Sequence, residues 1–157
     1  MQSTLLRRTA RGFTLIELLI VIALIAVLAG AVIIALNPAR QFALARNSER
    51  WSHVSSINDL IQQNVAENRG QFLCSGVVTS IPVTSTILAA TGGFNICPCL
   101  VPTYTPALPY DPSAAGAGYT DCTVYDTQYY IQRDATTSRI TVTAPEAELG
   151  ATISATR

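Results

Sequence analysis

Between Phe13 and Leu36 the chain is apolar apart from Thr14 and one charge, Glu17. As a helix this stretch spans ~36 Å at ~1.5 Å per residue, enough to cross a bilayer core about 30 Å thick. The pattern changes at Asn37-Pro38, where the proline removes a backbone donor and kinks or loosens a helix. From Ala39 to Arg69 helical character returns in amphipathic form. Val54, Ile57, Ile61 and Val65 recur at spacings of three or four, flanked by Trp51 and Leu60. Arg46, Glu49, Arg50, Asp59 and Glu67 fall largely elsewhere on the wheel. Gly70 is a natural stop. The spacing predicts one long, bent helix from Phe13 to Arg69.

Beyond Gly70 the periodicity shortens. Ser85 to Ala90, ended by Gly92-Gly93, reads as a short helix. Residues 98–118, punctuated by Pro98, Pro102, Pro106, Pro109, Pro112 and Gly116, read as an ordered loop. Gln128–Gln132 and Arg139–Ala144 read as strands joined by a turn at Asp134–Ser138, with one buried face. The expected fold class is α+β: a long N-terminal helix packed on a small antiparallel sheet head, as one continuous lollipop-shaped subunit.

Charge adds orientation. Arg7, Arg8 and Arg11 precede the apolar run and predict a cytoplasmic N-terminus, with everything after Leu36 outside the cytoplasm. Glu17 lies near one end of the membrane-length helix, where a carboxylate is costly without a partner. The chain has 157 residues, a formal charge of zero and no lysine. From Gln71 onward only nine of 87 residues are charged and threonine is frequent, which fits a head that packs against copies of itself. Nothing in this balance argues for nucleic-acid binding.

Cys74, Cys97, Cys99 and Cys122 all lie on the outward side and read as two structural disulfides. A Cys97–Cys99 bridge would close a very tight ring around Pro98. That leaves the two pairings that join these residues to Cys74 and Cys122. A Cys-Pro-Cys redox or metal site is the rival, without a nearby histidine or second pair to support it. His53, the only histidine, reads as a solvated helix residue. No catalytic pair, phosphate loop or nucleophile motif stands out, so neither an enzyme nor a cofactor is expected.

Gly12-Phe13-Thr14-Leu15-Ile16-Glu17-Leu18-Leu19, behind the basic leader, resembles the class III signal of type IV pilins and type II secretion pseudopilins. The resemblance implies removal of residues 1–12 by a prepilin peptidase, cutting between Gly12 and Phe13 and methylating the new Phe13 amine. The mature chain would carry a formal charge of −3. Residues 13–36 would form the transmembrane and filament-core helix, 37–70 its amphipathic half and 71–157 the head. The new amine would lie one helical turn from Glu17, and pairing of the two charges is strongly favoured in lipid. Formed between subunits, the pair would draw an incoming subunit into register; within one subunit it would only neutralise the helix end. The family's cytoplasmic ATPase and inner-membrane platform would be further partners. The chain would be a single-pass inner-membrane protein first, then part of a cell-surface or periplasm-spanning filament.

Two details depart from the family. Pilins carry a helix proline four positions earlier, where this chain has Ile34. Leu108-Pro109-Tyr110-Asp111-Pro112 and Ile140 to Glu146 resemble the tail of major pseudopilins, but Ser113-Ala114 stand where those carry Trp-Gly. In such pseudopilins this region can bind calcium, for which Asp111, Asp121 and Asp126 are the candidates; capping of turns is the ordinary alternative. A pilin is the first reading and a secretion pseudopilin the second. A minor adhesin or DNA-binding tip displaying the Cys97–Cys122 loop is a third, of another class. A conventional secretory signal cut after Ala29-Gly30-Ala31 and a plain anchor complete the set.

Overall fold

The computed structural model describes residues 12–157, so Arg7, Arg8 and Arg11 lie outside the described residues. The chain forms two units, one ending at Ala39 and the other running from Arg40 to Arg157. The apolar run becomes helix α1, Leu15–Leu36. Asn37 then takes a left-handed conformation (φ 43°, ψ 80°), and α2 runs from Pro38 to Glu67. The expected continuous helix is thus interrupted at one residue. Asparagine tolerates that region better than most residues, and a proline opening the next helix lacks only an N–H that would be unpaired there.

The end of α2 also differs in detail from expectation. The left-handed residue is Arg69 (φ 58°), with Gly70 (φ 86°) following it. The Gly70 N–H donates to the Val65 carbonyl at 2.8 Å, closing a Schellman-type cap.

The Arg40–Arg157 unit is a five-stranded antiparallel sheet with α2 in its core, plus a two-stranded hairpin of β1 (Leu73–Cys74) and β2 (Val77–Val78). The sheet holds β3 (Thr86–Ala89), β4 (Gly118–Asp121), β5 (Val124–Arg133), β6 (Ile140–Ala144) and β7 (Ile153–Thr156). Its order is β3-β5-β6-β7, with β4 also pairing β5. The expected hairpin is present as β5–β6, with Ile131 opposite Val142 and Arg133 opposite Ile140. Alternation along these strands sends Tyr129, Ile131, Val142 and Ala144 inward, where they join Val54, Ile57 and Ile61 of α2 in one core.

Two segments depart from expectation. Ser85 to Ala90 is not a helix: Thr86–Ala89 is the edge strand β3, with Thr86 opposite Ile131 and Ile87 opposite Tyr130. Pairing with β5 and full burial of Leu88 outweigh the weak local preference of so short a run. Gly93 is required for a reason other than ending a helix. A Cβ there would overlap the Ile87 carbonyl oxygen, which accepts from the Phe94 N–H at 2.8 Å. Within the expected loop, Cys97–Leu100 forms the short helix α3 and Gly118 already begins β4.

Candidate functional site

The first site is the start of α1. Thr14 has extended backbone angles, and its hydroxyl accepts from the Glu17 N–H at 3.3 Å, capping the helix. The Thr14-x-x-Glu17 spacing suits a helix start, and a carboxylate in the first turn is favoured by the helix dipole. Glu17, Phe13, Leu18 and Val21 border one shallow concavity of ≈ 240 Å³. The acid therefore shares a face with the residue four positions before it. Among the described residues Glu17 makes no ion pair with a basic side chain.

No residue of α1 is buried. Hiding one such aliphatic side chain from water is worth roughly 1.5–3 kcal/mol. A helix with this many exposed Leu, Ile and Val residues needs lipid or other apolar helices around it. It is long and apolar enough to cross a membrane.

Residues 7–33 match the family model of the prokaryotic N-terminal methylation motif. The chain carries this methylation motif. The motif takes in Arg7, Arg8, Arg11, Gly12, Phe13, the Thr14 cap, Glu17 and α1 as far as Ile33. It is consistent with a class III signal and points to a structural, pilin-type protein. No curated protein and no solved structure matches this chain.

Outside the methylation motif, the structure places the remaining sequence candidates in the head. Cys74 pairs with Cys99 and Cys97 with Cys122, one of the two pairings left open by the sequence. These bridges tie the β1–β2 hairpin and the β4–β5 turn to α3. The three aspartates do not gather. Asp121 accepts from the N–H groups of Thr123 and Val124 and from the Thr123 hydroxyl. Asp126 accepts from the Gln128 N–H and side chain. Among the described residues no group of three His, Cys, Asp or Glu side chains is placed to hold a metal.

Asp111 belongs to a buried polar cluster that sequence reasoning missed. Arg50 donates to both of its oxygens, to the Ser113 hydroxyl at 2.7 Å, and to Glu148 at 3.1 Å. Arg46 donates to both oxygens of Glu148. The Asn47 side chain donates to the Glu148 carbonyl and accepts from its N–H. Burial alone would push the Asp111 pKa up, but the hydrogen bonds from Arg50 and from the Ser113 and Ala114 N–H groups outweigh it and lower the pKa. Glu148 is held at about 2, chiefly by its hydrogen bonds from Arg46 and then from Arg50. A signal for this cluster was present. Extending the Val54–Ile57–Ile61 stripe backwards at the same spacing lands on Arg50, Asn47 and Ala43, all buried.

His53 is half-buried, with its Nδ1 2.9 Å from the Tyr129 hydroxyl. It is anchored in the head rather than free in solvent.

Proposed function

We propose that this chain is the precursor of a type IV pilin-like structural subunit of a filament. The observation that carries the reading is a methylation motif set on a helix with no buried residue, whose first turn holds an acid. Prepilin peptidase cuts between Gly12 and Phe13, and the Phe13 amine is methylated. That amine pairs with Glu17, within the subunit while the helix stands in the inner membrane and with a neighbouring subunit during assembly. The apolar α1 helices then bundle as the filament core, and each exchanges lipid contacts for contacts with its neighbours. The heads form the outer shell. The ATPase and the inner-membrane platform supply the work of extension, so the subunit needs no catalytic group.

The Leu108–Pro112 segment supports a second reading, a pseudopilin of a type II secretion system. Loss of exported enzymes on deletion marks that reading, and loss of surface pili marks the first.

Intact mass and N-terminal sequencing of the mature protein from sheared cell-surface material test the proposal. The expected result is a chain beginning with N-methylated Phe13 in a sedimenting fraction. A soluble chain beginning at Val32 overturns it.

A further inference from the structure

A cleft of ≈ 510 Å³ opens in the Arg40–Arg157 unit between the end of α2, the Gly70–Ile81 segment and the β5–β6 turn. Arg133, Arg139 and Arg157 all border it, and no acid does. Three of the seven arginines that follow Phe13 thus border one cleft.

The backbone fixes this arrangement. The Arg133 N–H donates to Pro82, and the Arg133–Ile140 register sets Arg133 on the helix-facing side of β5 at its end. Arg157 exchanges two backbone hydrogen bonds with Ile140. Asp59 pairs with the Arg157 guanidinium at 2.6 Å. Asp134, on the same turn as Arg139, accepts from the N–H groups of Thr136 and Thr137 instead. Among the described residues Arg133 and Arg139 thus border the cleft without an acidic side-chain partner, and Thr79, Ser80 and Thr137 line it as well.

Guanidinium groups present planar, forked donors that suit the oxygens of a phosphate group. We propose that this cleft binds a phosphate group, either free or as a phosphomonoester on a small molecule. Arg133 and Arg139 supply the charge-assisted hydrogen bonds, and Arg157 is held at the rim by Asp59. The site is independent of the N-terminal processing and of the filament reading.

The test is calorimetric titration of the full mature chain in neutral detergent micelles with sodium phosphate at fixed ionic strength. Saturable one-site binding is expected, with Arg139→Gln weakening it about tenfold and Arg133→Gln/Arg139→Gln abolishing it, since each lost charged contact is worth roughly a factor of ten. Circular dichroism checks that the variants are folded. Glycerol 3-phosphate binding as well as phosphate identifies the phosphomonoester as a ligand; binding of phosphate alone identifies the free ion. The proposal is overturned if sodium chloride or acetate reproduces the response, or if the double variant still binds. Binding of a single-stranded oligonucleotide without either small phosphate also overturns it.

Discussion

Arg50 donates to both carboxylate oxygens of Asp111, at 2.7 Å from Nε and 3.0 Å from Nη2, and neither side chain is exposed. This bidentate pair joins the middle of α2 to the proline-rich segment before β4, 61 residues away. Through Glu148 the same guanidinium reaches the loop between β6 and β7. One cation inside the head thus holds three separate stretches of chain.

Removing one partner of a buried ion pair leaves an uncompensated charge and costs about 3–5 kcal/mol. Asp111→Ala should therefore destabilise the head by about that amount in urea unfolding. Arg50→Met/Asp111→Leu should cost less than Asp111→Ala alone, because no charge is left stranded. If Asp111→Ala cost under about 1 kcal/mol, the clamp would be peripheral to the fold.

Both acids of this cluster have folded pKa values below their unfolded ones, Glu148 at about 2 against 4.5. Their contribution is complete above the unfolded values and is lost as pH falls through the folded ones. The melting temperature should hold steady from pH 7 to about 5 and then drop between about 4.5 and 2. Glu148→Gln should lower the plateau and shallow the drop. An unchanged acid profile in that variant would remove Glu148 from the account.

Asn64 imitates a strand partner. Its side chain accepts from the Leu73 N–H at 2.9 Å and donates to the Leu73 and Cys99 carbonyls. It lies 2% exposed, so Asn64→Ala leaves a buried donor and two acceptors without that partner. A loss of about 2–3 kcal/mol is expected from the urea midpoint at unchanged slope. A loss within 0.5 kcal/mol, the ordinary range for surface positions, would show that water replaces the side chain freely.

Glu17→Ala should insert into the membrane as efficiently as the parent chain and fail to build filaments. Membrane fractionation and electron microscopy of surface filaments read the two steps separately. Normal filaments from Glu17→Ala or Glu17→Leu would remove the assembly role of that carboxylate.

Local patterns were legible where one physical rule governed. The Ile140–Ala144 alternation and the 54–57–61 stripe each follow from burial alone, and the apolar run to Leu36 from its length and hydropathy. Arg50 escaped because a charged residue is normally assigned to solvent, although its spacing put it on the buried face. Thr86–Ala89 escaped because its strand state comes from β5, some forty residues later, and not from its own four residues. The Asp111 partner was equally invisible: nothing in a loop aspartate announces a guanidinium from a helix 61 positions earlier. Gly12, Phe13 and Glu17, in contrast, form a contiguous motif readable without any tertiary contact.

The single left-handed residue at Asn37 stands between α1 and α2. That conformation is costly for a β-branched residue and cheap for asparagine or glycine. Position 37 therefore takes Asn or Gly at little cost, whereas a valine there would carry the strain of that backbone region.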